Sequence, residues 1–106
     1  MGGPGSEVPD AFVVVRGGEA PLPPPGTTFS GAAGIDAFDA ARGVPHGKIR
    51  TTTARAIRAH GGRVAFAPEP TREGNINHRH VNITEGASGA FGAPEANPVP
   101  KEQRIK

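Results

Sequence analysis

The chain has 106 residues, of which 35% are apolar and 5% aromatic, with a formal net charge of +2, which leaves room for one domain around a single small hydrophobic centre. It contains no cysteine, which excludes disulfides, thiolate catalysis and sulfur-ligated zinc. No stretch approaches the roughly 20 apolar residues of a membrane-spanning helix, and 16 glycines with 12 prolines require much of the fold to be loop.

In chain order, residues 1–10 ("MGGPGSEVPD") show neither a basic start nor an apolar run and are expected to form a flexible lead. "AFVVVRGG" is β-branched and ends at two glycines, which predicts a buried strand. "EAPLPPPGTTFSGAAG" reads as a semi-rigid loop, because the prolines impose extended backbone and the glycines permit turns. "IDAFDAARGV" places Ile35, Phe38 and Ala41 at helical spacing before Gly43, and a short helix follows. "TTTARAIRAHGG" predicts a second helix, with threonines to cap its first amides and Gly61 to end it. His60, at that helix end, suits the negative pole of the helix. "RVAFAPE" and "INHRHVNIT" alternate as strands, and the proline-punctuated tail from Ala87 reads as an extended wrap. The expected fold is α+β: a small, largely antiparallel sheet with two short helices, loop-rich, in one domain over residues 11–106.

Charge is unevenly spread. Residues 1–41 carry one base against five acids, a net −4, whereas residues 42–80 carry eight bases against two acids, a net +6. The middle of the chain is therefore a candidate anion-binding surface, although a solvated basic face has the same composition.

Two segments carry chemistry. In "NHRHVNITEG" residues two apart share a strand face, so His78, His80, Asn82 and Thr84 oppose Arg79, Val81 and Ile83. Burial of Val81 and Ile83 sends the histidines to a polar cleft or to open solvent. In "VPHGKIRTTT" His46, Lys48, Arg50 and three hydroxyls precede a helix start, where free N–H groups and bases suit a phosphate. Two imidazoles with nearby cations suit metal-independent cleavage of RNA, which needs a base for the 2′ hydroxyl, an acid for the leaving oxygen and positive charge on the phosphorane. His78, His80 and Glu85 include metal-binding residue types, but no known metal spacing appears, so no metal and no cofactor is expected.

The runs "VVVRGG", "LPPPGTTFSGAAG", "GVPHGKIRTTTARAIRAHGGRVAFAPE", "NHRHVNITEG" and "NPVPKEQRI" resemble the carboxy-terminal toxin modules of polymorphic toxin systems, the tips of rearrangement-hotspot or contact-dependent proteins. The resemblance implies an enzyme, most often a nuclease, delivered from a larger secreted protein into a target-cell cytoplasm and blocked by a cognate immunity protein. Many such ribonucleases have small folds resembling barnase, colicin D or the EndoU enzymes, with histidine beside lysine and a hydroxyl residue. Arg16, Thr52 and Glu85 resemble, in order, the Arg, Ser/Thr, Glu arrangement of ADP-ribosyltransferases, which implies that the arginine holds a pyrophosphate and the glutamate acts at a ribose. Against it stand the short spacing and a "TTT" that leads into a helix.

The expected function is thus a metal-independent endoribonuclease toxin acting on RNA, transfer RNA among its candidate substrates. His46 and His80 serve as acid and base in either order, with His78 in reserve, and Lys48, Arg50 and Arg55 contact phosphate. Thr52 or Thr53 donates a hydrogen bond to it. The alternatives are an ADP-ribosyltransferase or NAD-consuming toxin, and a non-catalytic binding module for an acidic partner.

Overall fold

The structure, a computed structural model, describes residues 7–18, 24, 26–66, 80–84 and 87–104. Its strands are β1 (Val13–Gly17), β2 (Phe29–Gly34), β3 (Lys48–Thr53), β4 (Arg63–Phe66), β5 (His80–Thr84) and β6 (Glu95–Ala96); its helices are α1 (Ala37–Ala41) and α2 (Ala54–Ala59). All six strands form one sheet in the order β4-β5-β2-β1-β3-β6, and every pairing is antiparallel. The fold is α+β with two short helices, as the residue pattern implies. No helix among the described residues is long and apolar enough to cross a membrane.

The valine run of β1 is continuous, not alternating, because both faces of the sheet are covered. Val14 enters a core with Val8, Phe29, Ala33, Ile57, Val64, Val81 and Ile83, on the face where α2 packs. Val15 enters a second core with Ala32, Ala40, Ala41, Val44, Ile49 and Val99, on the face of α1 and the carboxy-terminal tail. Two small cores therefore replace the single centre expected from length.

Helix α2 forms where the composition predicts it. Thr53 caps it, its Oγ1 accepting from Ala56 N at 3.0 Å, and Gly61, at φ 81°, closes it, with Gly62 N donating to Ile57 O. Thr51 and Thr52, however, do not lie in the cap. They belong to β3, which pairs residue for residue with β1 from Val13↔Thr53 to Gly17↔Ile49.

β2 corrects the reading of "FSGAAG" as loop. Its residues have weak strand preference, but a helix must lie almost flush against it: a Cβ on Gly34 would stand 2.5 Å from Asp39 Oδ2 and 2.6 Å from Ala40 N. The same close approach turns α1 around. The helix buries Ala40 and Ala41, not the expected Ile35 and Phe38, which are 70% and 41% exposed. Its start is held by Asp36 Oδ1, accepting from Asp39 N, and by Asp39 Oδ2, accepting from Ile35 N.

Both ends of the described chain enter the cores. Val8 is 1% exposed and donates its N–H to Val64 O, and Glu7 bridges Ala65, so the expected flexible lead is part of the fold from Glu7 onward. Arg58 fixes this segment, donating to Asp10, Glu7, Val8 O and Val64 O. At the other end Val99 is fully buried, and β6 extends β3 by two residues.

Candidate functional site

The carboxy-terminal end of β1 gathers the side chains that carry chemistry. β1 ends there at Gly17, β2 and β3 begin beside it, and β5 ends at Thr84 on the same side, since Ile83 pairs with Phe29 at the start of β2. Two distinct features meet at this edge.

The first is a pocket of about 310 Å³. Val15, Ala32 and Val44 give it an apolar floor, and Ser30, Arg16 and His46 contribute polar groups. His46 is brought there by the loop between α1 and β3, and its ring lies over Gly17, where β1 has no side chain: a Cβ at Gly17 would stand 2.2 Å from its Nδ1. The loop is tied down by Asn97, whose Nδ2 donates to Val44 O and His46 O. Position 80 pairs with Ala32 of the pocket floor, one strand away. His78 and Glu85 lie outside the described residues.

The second feature is an arginine pair on the α2 face. Arg16 and Arg50 stand directly opposite each other across β1 and β3. Like charges in that position are destabilising by roughly 0.2–1 kcal/mol unless compensated. Arg16 donates to Ser30 O at 2.6 Å and lies 5.0 Å from the Phe29 ring centroid, a cation–π contact. Arg50 donates to Gly92 O at 3.2 Å, and its Nε is buried with no partner among the described residues. Neither has a carboxylate partner among the described residues. Thr52 is two residues along the same face, and its hydroxyl is buried and unpartnered among the described residues.

This geometry divides the residues expected to form one phosphate site. Arg50 and Thr52 lie on the α2 face, whereas Val15, Ala32 and Val44 of the His46 pocket belong to the opposite core. Lys48 is exposed at the start of β3, and Arg55 is exposed on α2. Thr53 Oγ1 is occupied as the cap. The amino terminus of α2 does not offer free amides: Ala54 N donates to Phe12 O, Arg55 N to Asp10 O and Ala56 N to Thr53 Oγ1. Arg58, counted in the basic middle segment, is taken up by Glu7 and Asp10. His60 keeps its expected place, with Nδ1 3.0 Å from Ala56 O at the helix end.

Sequence reasoning passed over Ser30 and Asn97. Neither has a distinguishing signal: Ser30 sits in a stretch read as loop, and Asn97 sits between prolines in the tail. Among the described residues no three of His, Asp and Glu gather to hold a metal ion. No family model, curated protein or solved structure matches the chain.

Proposed function

We propose that the protein consumes NAD, as an ADP-ribosyltransferase or a related NAD-cleaving toxin. The observation that carries this reading is the Arg16–Arg50 pair, two guanidinium groups on adjacent strands whose described partners are neutral carbonyls. A diphosphate supplies the missing negative charge, and arginine binds phosphate oxygens through paired N–H donors. Thr52 lies in β3, directly beside β1, although that strand runs straight into α2 at Ala54. Glu85 is the next residue in the chain after Thr84, where β5 ends at the Arg16 side of the sheet.

In this reading Arg16 holds the pyrophosphate and Arg50 adds to the field around it. The bond between ribose C1 and the nicotinamide nitrogen breaks, and nicotinamide leaves with the electron pair. Positive charge develops on the ribose, where the Glu85 carboxylate stabilises it. A hydroxyl, amine or water then attacks C1 and gives up its proton.

Ribonuclease action keeps one specific observation, the His46 imidazole in a pocket whose floor adjoins position 80. Arg50 lies on the opposite face of the sheet from that pocket, which is why this reading stands second. Purified protein is incubated with NAD, following nicotinamide release, and separately with total RNA, with and without a chelator. The expected result is NAD turnover that falls at least 100-fold in Arg16→Ala and Glu85→Ala and far less in His46→Ala or His80→Ala. Intact NAD with RNA cleaved in a His46-dependent manner would transfer the assignment to the ribonuclease. Intact NAD and intact RNA, with salt-sensitive binding spread over many bases, would leave the binding module. Expression in a host cell adds a cheap readout: growth arrest relieved by the same two substitutions.

A further inference from the structure

We infer that Asn97 is a positioning residue, through which the carboxy-terminal segment sets the His46 wall of the pocket. Gly43, Val44, Pro45 and His46 form that wall as one continuous piece of loop. Such a loop has few means of holding its own shape: Pro45 has no N–H, and Val44 N is already donated to Ala41 O. Asn97 supplies what is missing. Its Nδ2 donates to Val44 O at 3.1 Å and to His46 O at 2.9 Å, and its backbone N donates to Gly47 O at 2.9 Å. Its Oδ1 accepts from Val99 N at 2.9 Å.

The chemistry of the position selects an amide. Both Nδ2 protons and the carbonyl are used, so a carboxylate would face two carbonyl oxygens with no proton to offer, and a hydroxyl is too short to reach both. Asn97 is 8% exposed and is the buried polar side chain among the described residues. Its own segment is anchored, since Val99 is fully buried and Arg104 Nε donates to Val99 O at 2.8 Å. His46 is thus held from two sides, by the bare Gly17 on β1 beneath its ring and by the tail behind its carbonyl. A change in residues 95–99 reaches the pocket without touching any group that lines it.

The inference rests on the NAD reading only in its second readout, where the pocket is taken to receive part of the nucleotide. Wild type, Asn97→Ala and the milder Asn97→Ser are compared by the Cε1–H resonances of their histidines, with His46→Gln for assignment, and by calorimetric titration with ADP-ribose. The expected result is that the His46 signal moves to the position of a free imidazole in both variants while His60 stays, and that ADP-ribose affinity falls about tenfold, equivalent to 1.4 kcal/mol. If Asn97→Ala does not fold, Asn97→Ser is read alone. An unmoved His46 signal in a folded variant overturns the inference, and so does a moved signal with unchanged ADP-ribose affinity. A moved signal with no ADP-ribose binding by any form, wild type included, supports the positioning of His46 and removes the NAD reading instead.

Discussion

Adding one methyl group at Gly17 tests whether the end of β1 is shaped around His46. The Cβ of Gly17→Ala would stand 2.2 Å from Nδ1 and 3.0 Å from Cε1 of His46, and 2.6 Å from Cγ1 of Val44. Comfortable contacts begin near 3.5 Å, so both neighbours must retreat by about 1 Å. The imidazole is exposed and can swing away at small cost. Val44 is 7% exposed and packed in the second core, so its displacement acts as overpacking and costs about 1–3 kcal/mol. Gly17 is not among the described glycines at positive φ, so the penalty is one of space and not of backbone strain. Urea unfolding followed by circular dichroism reads the loss, and an unchanged m-value shows that the compactness of the two states is the same. The substitution also separates the two enzymatic readings: an activity that uses His46 as acid or base loses kcat, while NAD consumption through Arg16 and Glu85 keeps its kcat and loses affinity only. Stability within 0.5 kcal/mol of wild type, together with an unmoved His46 resonance, would refute the packing argument.

Arg58→Ala is expected to destabilise the fold by about 2–4 kcal/mol, mostly through the lost bonds to Val8 O and Val64 O. Its ionic partners Glu7 and Asp10 are 63% and 65% exposed, which limits each pair to about 0.2–1 kcal/mol. The double variant Glu7→Gln, Asp10→Asn should therefore lose less than Arg58→Ala in urea unfolding, and equal losses would contradict this division. Thr52→Val removes a buried hydroxyl with no partner among the described residues and should leave stability unchanged or raise it by about 1 kcal/mol. A stability loss above about 1 kcal/mol in thermal unfolding would mean the hydroxyl is bonded after all.

The elements that residue pattern reveals are those whose local chemistry and tertiary role agree. The valines of β1 favour a strand and are buried as one, and Thr53 and Gly61 bound α2 by the bonds their side chain and backbone offer. β2 was hidden because its demand is for smallness. Ala32, Ala33 and Gly34 lie where a helix crosses the sheet closely, and such residues carry no strand signature of their own. The threonines of β3 misled for the opposite reason: three consecutive capping residues look alike, yet all three pair with β1 and only Thr53 also caps the helix. At the site, His46 was legible as a residue type, but its distance from Arg50 was not. His46 belongs to the loop ahead of β3, which carries it to the α1 side, while Arg50 lies on the α2 face of β3, so residues four apart in the chain are divided by the sheet. Asn97 could not be found by composition, because its importance lies in two carbonyls more than fifty positions away.

The rims of the sheet bear on how this molecule behaves in crowded solution. On one side β6 offers just two residues before Asn97 and Pro98, and on the other β4 has four residues with Glu7 bridged onto Ala65. On β3 beyond Ile49, Gly92 N donates to Thr51 O, so a foreign strand finds that margin only partly unclaimed among the described residues, and proline cannot donate to a new ladder. Pairing of a second chain onto the sheet is thereby disfavoured at these positions.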